Sequence, residues 1–146
     1  MNMSFLDKWR KRLHAEHPVP LADSVRADPD SVVELLSECE LLRAQADGAG
    51  VELDDSAGSL EALDQLQPVW RDDPEVVPWL GNDAGLYLGT VLVRTVHGAV
   101  WEVRQDGQPV VRLASGREID VVAVGHEWAD VGAPELSQVY AEVAES

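Results

Sequence analysis

The sequence predicts an α+β domain, with helices packed around a small three-stranded antiparallel meander. Three observations carry this reading. Residues 84–94 form a helix candidate notched by Gly85 and Gly89, which Gly98 can stop. Two turn signals, Asp106-Gly107 and Ser115-Gly116, each separate short alternating strands. Capped, helically spaced apolar segments lie on both sides of this block.

The chain divides into residues 1–27, a basic N-terminal helix and linker, and residues 28–146, a single α+β domain. In the head, residues 3–13, Leu6, Trp9 and Leu13 recur at helical spacing with Phe5 beside them. Lys8, Arg10, Lys11 and Arg12 fill the other sides, and every later cation is an arginine. Two readings stand. The stripe packs on its own domain with the cations in water, or it docks on a partner or an anionic membrane surface. Residues 14–27 hold Pro18 and Pro20 and little periodicity, which suits an extended arm. His14 and His17 have a spacing that could hold a metal on a helix. Pro18 disfavours a helix there, so exposed histidines are expected.

Asp28 as N-cap and Pro29 at the first position predict a helix running to Gly48 and Gly50. Its apolar face is Val32, Leu35, Leu36, Cys39, Leu42 and Ala46, which makes Cys39 a small buried hydrophobe. Residues 51–54 read as a short extended piece. Ser56 or Ser59 then caps a helix with Leu60, Leu63 and Leu66 inward. Pro68, Pro74 and Pro78 punctuate an irregular acidic stretch carrying Trp70 and Trp79. These tryptophans either anchor a partner or clamp the loop onto the core.

Residues 84–97 are ambiguous in period. Leu86, Leu88 and Leu92 suit a strand, whereas Ala84, Leu88, Val91 and Thr95 suit a helix. Gly85 and Gly89 would weaken a strand but give a helix a flat notch for close approach, which decides for the helix. In the meander Ala99, Trp101 and Val103 share one face of the first strand, and Pro109, Val111 and Leu113 one face of the second. Ile119 and Val121 share a face of the third. A short helix with Val124 and Trp128 ends near Gly132. Pro134 opens a last one with Leu136, Val139, Tyr140 and Val143 inward.

Composition bounds the function. At 146 residues the chain can build a sizeable core. No apolar run approaches the roughly 20 residues of a membrane span, and the start lacks a signal core, so a cytoplasmic location is expected. One cysteine cannot form an intramolecular disulfide or a thiolate metal cluster. A net charge of −16 argues against nucleic-acid binding by the body and favours solubility, while permitting a basic protein partner.

Catalytic constellations are thin. His126-Glu127-Trp128-Ala129-Asp130 imitates a helical zinc motif, with aspartate in place of the second histidine and no third ligand in view. Glu118 and Asp120, with Glu102 near, could serve as paired carboxylates, but beside Arg104 and Arg112 they read as cross-strand ion pairs. Gly81, Gly85 and Gly89 match no nucleotide-binding loop. No catalytic, metal or cofactor-binding residue is assigned. The expectation is a non-enzymatic protein-interaction module, with Lys8, Trp9, Arg10, Lys11, Arg12, Trp70 and Trp79 as contact residues. The alternatives are an immunity or inhibitor protein with an acidic binding face, and a hydrolase using the carboxylates or His126.

Asp54, Ser56, Ser59, Leu60, Leu63 and Asp64, followed by Gly85, Tyr87, Gly89 and Trp101, carry a resemblance. The chain resembles short uncharacterised bacterial proteins, and most closely an actinobacterial family of unknown function that also shares the basic start. The resemblance implies an α+β domain and no activity. The wider group often has an acidic residue after the second glycine. Here Thr90 stands in that place, so no carboxylate role carries over.

Overall fold

A computed structural model describes residues 39–145. Among them are helices α1 (Glu40–Gly48), α2 (Ala57–Trp70) and α3 (Val77–Thr95). Strands β1 (Val100–Val103), β2 (Pro109–Arg112) and β3 (Glu118–Ile119) follow, then α4 (Val121–Val131) and α5 (Leu136–Ala144). The sheet order is β1-β2-β3, both pairs antiparallel, with Trp101 opposite Val111 and Val111 opposite Ile119. The α+β class and the meander expected from the sequence are therefore present. The head, the arm, His14, His17 and the start of the helix expected from Asp28 lie outside the described residues.

The hairpins repeat one device. Gly107 N donates to Arg104 O and Arg104 N to Gln108 O; Gly116 N donates to Leu113 O and Leu113 N to Arg117 O. Gly107 (φ 86°) and Gly116 (φ 92°) take the left-handed conformation that closes each loop. Trp101, Val103, Val111 and Ile119 face the core.

The centre of the molecule is α3. Every residue from Leu80 to Leu92 is buried, because α1, α2, α4, α5 and the sheet all touch it. A helix buried all round has no polar face, so its sequence loses the 3.6-residue period. This explains both the ambiguous pattern and the late predicted start. The helix begins at Val77, with Pro78 in the first turn, where a missing N–H is harmless.

The four-residue spacing of Gly81, Gly85 and Gly89 lets neighbours approach the α3 backbone. A Cβ on Gly85 would strike Val121 O and lie 2.7 Å from Val122 Cα. One on Gly81 would lie 2.8 Å from His126 Cα, and one on Gly89 would strike the Trp101 ring. Gly125 of α4 faces back, and its Cβ would meet Gly81 O and lie 2.6 Å from Gly85 Cα. With position 81 opposite 126 and 85 opposite 121–122, α3 and α4 run antiparallel in backbone contact.

Four expectations are corrected. First, Cys39 is buried as predicted, but its backbone is left-handed (φ 45°, ψ 46°), so the helix begins at Glu40 and does not run through it. Second, α2 continues through Pro68 to Trp70. Pro68 sits in the last turn and leaves Asp64 O without its helical N–H donor. Third, Val121 starts α4 and is not in the third strand, because Asp120 caps that helix by accepting from Ala123 N at 3.1 Å. Fourth, the last helix starts at Leu136, two residues beyond Pro134.

Candidate functional site

The residues that carry the sequence resemblance come together in three internal knots. In the first, Asp54 precedes α2. Its Oδ1 accepts from the hydroxyls of Ser56 and Ser59 and from Ser56 N, while its own N–H donates to Ser59 Oγ at 3.1 Å. The Ser56 hydroxyl, followed by that of Ser59, holds the Asp54 carboxyl below its usual range. Ser56 takes the N-cap position the sequence suggested, but its hydroxyl turns to Asp54, not into the helix.

Beside this turn, Asp55 is left-handed (φ 62°), and its N–H donates to the Tyr87 hydroxyl of α3 at 2.8 Å. The Asp55 carboxylate meets Arg43 at 2.9 Å and Arg94 at 3.3 Å. Arg43 also donates to Leu53 O and lies 5.2 Å from the centre of the Tyr87 ring. Burial pushes the Tyr87 hydroxyl up to about 12, so it stays protonated. The sequence reading gave Arg43, Asp55 and Tyr87 no such role. Their partners come from three elements and leave no local pattern.

The second knot is Asp64, half-buried on the face of α2 turned to α4 and α5. It accepts from Trp128 Nε1 (2.9 Å), Leu136 N (2.8 Å), Ser137 N (3.1 Å) and Ser137 Oγ (2.6 Å). One carboxylate thus caps α5 and satisfies the indole of a fully buried tryptophan on α4. The third is the glycine notch described above, which seats Trp101.

A separate buried acid lies on α3. Asp83 is 1% exposed and accepts from Leu42 N in the first turn of α1, at 3.3 Å. Burial pushes it up to about 6, against the pull of the Leu42 amide and the Asn82 side chain; Glu40 adds to the rise. The folded chain therefore holds this proton more tightly than the unfolded chain does. The contribution of Asp83 to stability is full below about pH 4, is lost between about pH 4 and 6 and stays lost above, a cost of about 3 kcal/mol. Asp83→Asn should flatten that slope and leave the protein at least as stable at pH 8. Denaturant melts from pH 4 to 8 would show this, and an unchanged slope in the variant would refute it.

The remaining candidate chemistry is dispersed. Arg104 meets Glu118 (3.4 Å) and Asp120 (3.5 Å), and Arg112 meets Glu102 (3.1 Å), on the open face of the sheet. His126 is exposed, while Trp128 beside it is in the core. Among the described residues no group of three or more His, Cys, Asp or Glu side chains is placed to hold a metal. No described helix is long and apolar enough to cross a membrane. An open recess of about 340 Å³ is lined by Arg43, Ala44, Asp47, Val51, Glu52 and Leu53, and no cluster of reactive groups converges on it.

Of the contact residues expected from sequence, Lys8, Trp9, Arg10, Lys11 and Arg12 lie outside the described residues. Trp70 is 4% exposed and belongs to the core. Its ring is packed inside the molecule at the last residue of α2. Trp79 is half-buried in the first turn of α3, packed on the core with Nε1 donating to Glu75 O.

Around Trp79 a surface emerges that residue spacing did not reveal. Gln67 near the end of α2 donates to Trp128 O and Ala129 O near the end of α4, and the start of α3 lies against that same end of α4. Three exposed valines fall on these converging segments: Val69 (70% exposed), Val77 (48%) and Val131 (56%). Asp72, Glu75, Glu127 and Asp130 are also exposed there, and none of them meets an arginine among the described residues. Exposed valines and exposed acids thus share these segments, with Arg71 exposed among them.

A family described only as one of unknown function is matched across residues 1–146. No curated protein and no solved structure matches the chain.

Proposed function

The chain belongs to the Family of unknown function (DUF6278), whose match covers all of it, and we propose that it is a non-enzymatic protein-interaction module of the cytoplasm. The observation that carries this is the acidic, valine-bearing end where α2, α3 and α4 converge. Apolar side chains inside a charged rim are a common form of protein-binding surface. The carboxylates and hydroxyls of the motif residues are meanwhile engaged in holding helices together. A reader of this sign favours a cationic partner, which also accommodates an inhibitor or immunity role against a basic protein.

The test is capture by immobilised full-length protein at low and high salt, beside a Val77→Ser, Val131→Ser double variant. Exposed valines can be exchanged within about 0.5 kcal/mol of stability, so the variant stays folded. A basic protein retained at low salt and lost in both other conditions is the expected result. Retention indifferent to both salt and variant would overturn the assignment.

A further inference from the structure

We propose that the recess between α1 and residues 51–53 is a seat for an arginine side chain of a partner protein. It goes beyond the interaction reading above, since it shares no residue with the exposed valines and acids of α2, α3 and α4. The recess holds about 340 Å³ and is lined by Arg43, Ala44 and Asp47 of α1 and by Val51, Glu52 and Leu53. Its two walls are fixed to each other. Val51 N donates to Ala46 O at 2.8 Å, Arg43 Nη1 donates to Leu53 O at 3.2 Å, and Val51 and Leu53 pack on the core. The recess is therefore formed before anything enters it, and binding need not order a loop.

Charge and lining select the occupant. Arg43, the cation of the lining, is already committed: its guanidinium meets the Asp55 carboxylate at 2.9 Å and lies 5.2 Å from the centre of the Tyr87 ring. Asp47 and Glu52, one on each wall, are exposed, and neither forms an ion pair among the described residues. The recess thus keeps two uncompensated carboxylates and repels an anion. Ala44, Val51 and Leu53 supply apolar lining. A side chain that suits both needs an apolar stem and a cationic head, which means lysine or arginine. Arginine fits better, because its planar guanidinium offers forked donors to carboxylates and sheds water more readily than an ammonium. The volume is at the lower end for a small-molecule site and accommodates one long side chain. A single exposed ion pair is weak, so the seat adds selectivity for a basic partner to a larger contact.

An amide NMR titration of the full chain with the blocked tripeptide acetyl-Gly-Arg-Gly-amide tests this. The expected result is saturable shifts at Ala44, Asp47, Val51, Glu52 and Leu53, half-complete at a concentration on the order of millimolar. The double change Asp47→Asn, Glu52→Gln lies at exposed positions and leaves the fold intact, and it should abolish the saturation. The norleucine analogue keeps the stem without the charge and should shift none of these amides. The Val77→Ser, Val131→Ser variant should bind the arginine peptide as the parent does. The seat is refuted if these amides stay still, if their shifts persist in the Asp47→Asn, Glu52→Gln chain, or if the norleucine peptide matches the arginine one. Shifts spread evenly over exposed acids such as Asp72, Glu127 and Asp130 would overturn it too, as general attraction to an acidic surface. Binding lost only in the valine variant would move the peptide to the other surface, so that the seat fails and the interaction reading stands.

Discussion

Gly85→Ala is expected to destabilise the protein by about 3 kcal/mol, the upper part of the range for overpacking a core. On helix propensity alone the same change would stabilise by up to about 1 kcal/mol, so the sign of the effect reads the packing directly. The added methyl would fall on Val121 O and Val122 Cα, both backbone atoms, which no rotamer change can move aside. Gly125→Ala should behave alike, since its Cβ meets Gly81 O and the Gly85 backbone. Gly89→Leu should also cost several kcal/mol, because Gly89 faces the Trp101 ring. Gly48 ends α1 with open space around its Cβ position and gives the control: Gly48→Ala should be neutral or slightly stabilising. Denaturant unfolding of the set decides the matter. A Gly85→Ala protein as stable as the parent would mean that α3 and α4 do not meet through their backbones.

This crossing was half visible in the sequence. Gly85 and Gly89 four apart announced a notch, but not what fills it. Gly125, the reciprocal glycine, lies alone in a pattern that promised only a short helix. Local chemistry was read well. Asp106-Gly107 and Ser115-Gly116 placed both hairpins, because a left-handed glycine after a turn is a short-range requirement. Periodicity failed where burial was greatest: thirteen consecutive buried residues on α3 erase the amphipathic signal, so Val77 was missed as its start. The apolar alternation that suggests a strand at Val121 continues past the point where Asp120 caps a helix.

Long-range polar bonds were not legible at all. Leu42 N to Asp83 and Asp55 N to Tyr87 join residues 41 and 32 apart, and neither pair has a characteristic spacing. The exposure of Val69, Val77 and Val131 was equally hidden, since it depends on how the ends of α2, α3 and α4 converge. Trp70 and Trp79 looked equivalent in an irregular acidic stretch. Helix geometry separates them, sending one into the core and leaving the other at the rim.

Asp64→Ala is expected to be the most damaging change to a single polar residue, at about 3–4 kcal/mol. The carboxylate gathers four donors from two elements, and alanine replaces none of them. The Leu136 and Ser137 amides are in the first turn of α5, whose N-cap residue Glu135 makes no side-chain cap of its own. Losing a helix cap costs about 1 kcal/mol. The larger loss is at Trp128, which is fully buried and would keep an indole N–H with no acceptor, a penalty of about 1–3 kcal/mol. Asp64→Asn separates the contributions. Its carbonyl oxygen can still accept from Trp128 Nε1 and Leu136 N at the Oδ1 position, while the amide nitrogen cannot accept from Ser137 N or Oγ. Asparagine should therefore recover at least half of the stability that alanine loses, and α5 should fray in amide exchange before the Trp128 environment changes. Equal losses for both variants would place the stabilisation in the negative charge and not in the geometry of the bonds. No loss in either would detach α5 from α2 and remove Asp64 as the reason this motif residue stands where it does.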